Sequence, residues 1–230
     1  LYLNPQFTYR DSTFNFTGGE GYLVVSPHFY IHKHFQDSIH DLILNSKLLP
    51  QKKYTYSDLG FVLLKDIVEE QSATPFDVYC RKHFFKRLGA YNTDFNAHFN
   101  LDMKRVVPAN EDDIFRKSQL HGYVHDPIAA LMGGVSGNAG LFSTAEDLAK
   151  IMSVYLNRLI DSTTIDLFTQ TQLPLDQNRR GLGFDKPETL PNKSGPTCKE
   201  APCSSYGHTG FTGAIAWNDP DNQLIYIFLS

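Results

Sequence analysis

Apolar side chains along residues 28–45 fall at helical spacing, with Phe35, Ile39, Leu42 and Ile43 on one face. A second helix is predicted after Tyr54-Thr55-Tyr56-Ser57-Asp58-Leu59-Gly60. Ser57 is a good N-cap there, and Phe61, Leu64, Ile67 and Val68 recur at the same period. Tyr56 and Ser57 thus stand at a helix mouth, where backbone N–H groups lack partners and the field favours anions. A third helix follows at once. Thr74 caps it, Pro75 fits its first turn, Phe76, Tyr79, Cys80, Phe84 and Leu88 make its buried stripe, and Gly89 closes it. Ser143 to Glu146 reads as a capping box for a fourth, with Leu148, Ile151, Met152, Tyr155 and Leu156 inward. Residues 161–171 predict one more short helix.

Alternation replaces helical spacing only near the end. Gly213 to Asn218, a turn at Asp219-Pro220-Asp221-Asn222, and Leu224 to Leu229 form a β-hairpin pattern. Residues 1–27 show no period beyond a short strand at Tyr22-Leu23-Val24-Val25. Residues 90–120 and 172–203 read as loops, the first a candidate rim for a site. Within it the run Glu111-Asp112-Asp113 reads as solvated surface. These elements predict an α+β protein of one domain, 1–230, with a helical and loop region over 27–200 and sheet strands over 204–230. Two strands cannot easily stand alone, so the sheet is expected to be incomplete. Leu1 begins in mid-pattern and the final strand has no terminator, which reads as part of something longer.

Composition narrows the class. Hydrophobic residues make up 41% and charged residues 20%, as in ordinary globular proteins. A net charge of −4 argues against a nucleic-acid surface, which needs a basic footprint. No apolar run approaches membrane-spanning length, and the first residues do not read as a signal peptide. Cys198 and Cys203 lie close enough to pair or to remain two thiols, while Cys80 sits on an apolar helix face as core. His28, His32, His34 and His40 invite a metal, yet no partner Cys cluster or acid pair accompanies them. A solvated helix face accounts for them better, and neither metal nor cofactor is expected.

Two glycine-rich stretches remain. Met132 to Thr144 holds four glycines within eight residues, a backbone folded tightly against another element, without the Gly-Lys-Ser/Thr ending of a phosphate loop. Tyr206-Gly207-His208-Thr209-Gly210-Phe211-Thr212-Gly213 combines an imidazole and hydroxyls with glycines that mark close approach. From local pattern alone it is a tight turn leading into a buried strand.

The order of Tyr56-Ser57-Asp58 before a helix, Gly137-Asn138-Ala139-Gly140-Leu141-Phe142-Ser143-Thr144 before a helix, and His208-Thr209-Gly210 on a strand resembles the penicillin-recognising serine hydrolases. That group includes class C β-lactamases, D-alanyl-D-alanine carboxypeptidases and related esterases. The resemblance covers the chain from about Lys53 onward and implies a β-lactamase/DD-peptidase-like fold. By it, Tyr56 is a general base or proton relay, its phenol acidified by cationic neighbours. Ser57 and Asp58 complete the substrate-facing motif. Asp58 stands where asparagine is usual, and an ionised carboxylate accepts but cannot donate. His208 takes the lysine-or-histidine position, Thr209 binds a substrate carboxylate beside Gly210, and the Phe211 N–H forms half of an oxyanion hole, worth ~3 kcal/mol in known cases.

The resemblance also calls for a nucleophile in Ser-x-x-Lys. No serine here is followed three residues later by lysine, and no lysine is preceded at that spacing by Ser, Thr or Cys. A fragment lacking the nucleophile helix, inactive alone, is the simpler expectation. A relative that has lost catalysis and binds cell-wall fragments is the alternative. Expected partners are a small-molecule or peptidoglycan-type substrate, with fusion to another catalytic domain left open. The expected location is periplasmic or extracellular.

Overall fold

The computed structural model describes residues 13–50, 54–173 and 178–230. Its chain forms two compact units. One comprises Leu1–Pro50, Ser57–Phe84 and Asn92–Phe142; the other comprises Gln51–Tyr56, Phe85–Tyr91 and Ser143–Ser230.

The first unit is built on a three-stranded antiparallel sheet of β1 (Phe14–Asn15), β3 (Phe29–His32) and β2 (Tyr22–Ser26), in that order. Phe29 and Ile31 point inward and Tyr30 and His32 outward, a period of two. The predicted helix of residues 28–45 is therefore shorter: α1 runs Phe35–Leu44 and buries Ile39 and Ile43, leaving Leu42 exposed. His32 is on the strand, and only His40 of the four histidines lies in the helix, against Asp66. Phe14 and Phe29 stack at 5.2 Å, and Phe115 meets Phe29 edge-on at 5.5 Å. Val25, Ile31 and Val124 complete that cluster.

Helix α2 (Leu59–Ser72) starts one residue later than predicted, with Asp58 at its N-cap and the Ser57 hydroxyl accepting from the Leu59 N–H at 3.3 Å. It buries Val62 and leaves Phe61, Leu64 and Ile67 exposed. The predicted face was displaced because Val62, beside Leu59 and Leu63, meets Ile39, Ile43 and Met132. The third helix breaks in two. α3 covers Phe76–Cys80, its first N–H capped by the Glu69 carboxylate at 2.7 Å rather than by Thr74. A π-helical turn, Arg81–Phe85, continues it. The wider turn shifts the phase, so Phe85 is buried and Phe84 is not.

Residues 90–120 are not one loop. They hold β4 (Asp94–Phe95), the short α4 (Ala97–Asn100) and a hairpin of β5 (Asn110–Asp112) with β6 (Ser118–Leu120). Asp112 is structural rather than solvated: it accepts from the Phe115 N–H at 2.8 Å and from Arg116 Nε at 2.6 Å. Arg116 is buried and also donates to the carbonyls of Val124 and His125. α5 (Pro127–Leu131) follows, capped by Asp126. The glycine-rich stretch then leads to β7 (Leu141–Phe142), which pairs with β4. A methyl at Gly137 would lie 2.1 Å from the Phe61 carbonyl oxygen, the close approach that the glycines predict.

The second unit packs α6 (Ala145–Leu156) against an antiparallel sheet in the order β10 (Leu224–Phe228), β9 (Ile215–Asp219), β8 (Tyr206–Thr209). Thr144, not Ser143, caps α6 by accepting from the Asp147 N–H. The C-terminal hairpin lies where alternation predicts it, and β8 supplies a third strand. Asn218, fully buried, donates to the Met152 carbonyl at 2.9 Å and ties sheet to helix. α7 (Ser162–Thr169) buries Ile165. The segment 178–205 carries no strand, and Cys80, Cys198 and Cys203 are all free thiols. Pro174, one of the prolines of the predicted loop, lies outside the described residues.

Candidate active site

β8 carries the stretch that the sequence singles out. Tyr206 and Gly207 are buried, His208 is half-buried, and Thr209, Gly210 and Phe211 are exposed. Gly207 has neighbours on both sides. A methyl there would lie 2.2 Å from the Ala216 carbonyl oxygen, and its own backbone exchanges two hydrogen bonds with Asp185, at 2.7 and 3.1 Å. The strand ends at Thr209, and Gly210 starts the turn rather than continuing the strand. Its N–H donates to the Ala214 carbonyl at 2.6 Å, and Phe211 sits at the tip, 77% exposed.

A tight turn brings two arginines to this edge. The Gly181 N–H donates to the Phe184 carbonyl, and Gly183 takes a positive φ of 78° that favours glycine. Arg179 and Arg180 are thereby folded back onto Asp185, whose side chain is 3% exposed. Arg179 Nε lies 2.7 Å from one carboxylate oxygen, and Arg180 Nη2 lies 3.1 Å from the other. Arg179 also pairs with Glu188 at 3.4 Å. Two cations on one buried carboxylate satisfy a charge that alone would be costly to desolvate.

Arg180 then reaches two of the sequence-predicted residues of this unit, His208 and Tyr56. Its Nη1 lies 2.9 Å from His208 Nε2. Its Cζ sits 4.8 Å from the centroid of the Tyr56 ring, a cation–π contact worth about 0.5–1 kcal/mol at an exposed site. A guanidinium has donors only. Nε2 of His208 must therefore be the acceptor, and Nδ1 carries the proton, 2.7 Å from the Thr209 carbonyl oxygen. Both ring nitrogens therefore have partners.

Beside this cluster opens a cavity of about 410 Å³, lined by Tyr54, Asn178, Arg179, Arg180, Glu188, Lys193 and Ser194. Among the described residues its charged lining holds three cations and one carboxylate, with Asp185 behind two of the cations. The deeper tyrosines of the unit are of another kind. Burial raises the phenol pKa of Tyr155, and burial raises that of Tyr206 against a hydrogen bond from Asn218. They meet the Phe184 ring at 5.2 and 5.1 Å and serve packing, whereas Tyr56 is 53% exposed.

Of the predicted site residues, Tyr56 and His208 meet at one guanidinium, while Thr209, Gly210 and Phe211 form the exposed rim of the same strand end. Ser57 and Asp58 belong to the other unit. There Asp58 occupies the α2 N-cap without its side chain making a capping bond. Sequence reasoning missed Arg179, Arg180, Asp185 and Glu188. They lie in a segment without period, and a pair of arginines with an aspartate five residues on is no recognised motif.

The family model described as beta-lactamase matches residues 14–230. The chain belongs to the β-lactamase family. It is 34% identical over 191 residues to the N-acetylmuramyl-L-alanine amidase of Bacillus subtilis, covering 75% of this chain and 43% of that protein. It is 33% identical over 202 residues to an Escherichia coli protein with the provisional name D-alanyl-D-alanine carboxypeptidase, covering 79% and 45%. The chain spans a little under half the length of these relatives. Among solved structures it is similar to a penicillin-binding protein homologue from Pyrococcus abyssi (TM-score 0.56, 18% identity, 91% of this chain and 45% of that one). It is also similar to a β-lactamase from Mycobacterium bovis (TM-score 0.54, 20% identity, 78% and 57%). At such identities the likeness is one of fold, and it is the α+β, β-lactamase/DD-peptidase-like fold that the motif order implies.

Proposed function

We propose that the whole protein is a serine hydrolase that works through an acyl-enzyme on an ester, a D-amino-acid peptide or a β-lactam carbonyl. The observation that carries this reading is the meeting of Tyr56 and His208, 152 residues apart in sequence, on the single guanidinium of Arg180. In this reading Tyr56 moves the proton of the attacking hydroxyl, and Thr209 with Gly210 seats the substrate carboxylate. The Phe211 N–H steadies the oxyanion, and Ser57 and Asp58 face the substrate amide. The attacking serine is assigned to a segment outside these 230 residues, because none of the serines here has a lysine three residues on. Without it, the chain alone retains at most residual catalysis.

The relatives named for an amidase and a carboxypeptidase support a peptidoglycan-type substrate and a location outside the cytoplasm. Among the described residues no helix is long and apolar enough to cross a membrane. A fluorophosphonate or fluorescent penicillin applied to the full-length protein tests the reading. Covalent labelling that is lost on mutating one Ser-x-x-Lys serine is expected. Absence of any label would leave a cleft that binds cell-wall fragments without chemistry.

A further inference from the structure

We propose that the run Arg81-Lys82-His83-Phe84-Phe85-Lys86-Arg87 is a docking surface for an anionic phospholipid membrane, against which it holds the protein peripherally. Four of its seven residues are lysine or arginine and none is acidic, in a chain whose net charge is −4. Positive charge is gathered here against the average of the chain, which is the pattern of an electrostatic attraction to one side.

The run is fixed at both ends. Arg81 is held by Asp94, with Nε 2.7 Å from one carboxylate oxygen and Nη2 2.8 Å from the other, and it also meets Asp77. His83 stacks on the Tyr79 ring at 4.6 Å, and Phe85 is buried where the π-helical turn ends. Beyond it the Ala90 N–H donates to the Phe85 carbonyl at 2.8 Å, and Gly89 takes a positive φ of 68°. Along this backbone Lys82, Lys86 and Arg87 are exposed, and they make no ion pair among the described residues. The acids that come near the run have cations of their own. Asp77 and Asp94 meet Arg81. Lys150, which donates to the Gly89 carbonyl at 2.9 Å, pairs with Asp147 at 2.8 Å and with Glu146 at 3.1 Å.

Phe84 decides the kind of partner. The wider turn that carries Phe85 inward leaves the Phe84 ring 49% exposed, with lysine two residues away on either side. Val78, on α3 just before the run, is exposed as well. A free phosphate or a soluble polyanion would engage the cations alone. A lipid surface engages both kinds of side chain: the cations stay at the level of the headgroups, and the ring enters the boundary with the acyl chains. Among the described residues no helix is long and apolar enough to cross the bilayer, so this contact is one made at its surface.

Co-sedimentation of the full-length protein with vesicles tests this. One set is phosphatidylcholine alone, and the other mixes one part of phosphatidylglycerol with two of phosphatidylcholine. At low salt the anionic vesicles are expected to bind about 100-fold tighter, at about 5-fold for each of the three free cations, and the excess should shrink at high salt. Lys82→Gln combined with Lys86→Gln and Arg87→Gln removes most of that ratio. Lys33→Gln combined with Lys47→Gln and Lys117→Gln, the same loss of charge at other exposed lysines, leaves most of it. Phe84→Ser weakens binding about 5-fold, and Phe84→Trp keeps it. Equal binding to both vesicles, an equal fall in the two triple variants, or a Phe84→Ser variant that binds like the unmutated protein overturns the proposal. Binding to soluble polyphosphate as tight as to the anionic vesicles also overturns it, in favour of a soluble polyanion. The ratio between the two vesicles is read, so an anchor elsewhere in the full-length protein cancels. A failed serine label would end the hydrolase reading without touching this result.

Discussion

Each unit contains an arginine–carboxylate cluster, and the two are built for opposite ends. In the first unit Arg116 has a side chain only 1% exposed, against Asp112 and two backbone carbonyls. Burial lowers the guanidinium's pKa, and the Asp112 hydrogen bond opposes this. Burial likewise works against ionisation of Asp112, yet the Arg116 hydrogen bond and the Phe115 N–H prevail and hold the carboxyl below its ordinary range. Nothing there is left to meet a ligand. In the second unit Arg180 has a side chain 20% exposed and divides itself among Asp185, His208 and the Tyr56 ring at the edge of a cavity. The same chemistry staples a hairpin where its donors are enclosed, and serves a site where some of them face an opening.

The contrast is sharpest in stability. Arg116→Met is expected to cost about 3–5 kcal/mol, because Asp112 is left buried and unpaired. Arg180→Leu is expected to cost less, about 1.5–3 kcal/mol, because the buried Asp185 keeps Arg179 as a partner. Urea melts of the two variants read this directly, and equal losses would break the comparison. Gly207→Ala comes next. Its methyl would meet the Ala216 carbonyl, so about 1–3 kcal/mol is expected, together with a disturbed Asp185 bridge that a binding assay would register.

Asn218→Leu separates packing from chemistry within the second unit. It removes the hydrogen bond to the Met152 carbonyl and leaves that acceptor buried, at about 1–3 kcal/mol. Ligand binding at the Arg180 edge should persist, measured below the melting transition.

Acid should act first on the other unit. Burial lowers the pKa of His98 and of His125, so the folded chain binds fewer protons there than the unfolded chain. Their contribution is complete above about pH 6.5 and declines as pH falls through that value toward the folded pKa. Melting temperatures recorded from pH 7.5 to 5 should fall, and His98→Gln should flatten the curve; an unchanged slope would remove His98 from the account. The smallest effect is chemical. Burial raises the Cys80 thiol to about 11, so iodoacetamide at pH 8 should modify Cys198 and Cys203, both exposed, well before Cys80.

How far the sequence could be read followed from how local each feature is. α6, α7 and the C-terminal hairpin stood where spacing and turn residues place them, with the α6 cap one residue on at Thr144, because those signals act within a few residues. Phase was harder. The exposed Phe61, Leu64 and Ile67 of α2 have the same period as the buried residues beside them, and only α1 and α5 decide which row is covered. The π-helical turn after Cys80 moved the buried ring from Phe84 to Phe85, a shift that period alone cannot announce. β5 and β6 read as loop in the sequence because three-residue strands carry too few positions to show alternation.

The sequence by itself determined the order of landmarks: Tyr56-Ser57-Asp58 ahead of a helix, the glycine-rich stretch ahead of another, and His208-Thr209-Gly210 at a strand end. Each rests on backbone demands that a short run of residues can meet. Only the tertiary structure decided that Arg180 stands between the phenol and the imidazole, and therefore which ring nitrogen bears the proton. A salt bridge and a tautomer are set by distance in space, and the turn at Gly181 to Phe184 that closes that distance leaves no periodic trace in the chain.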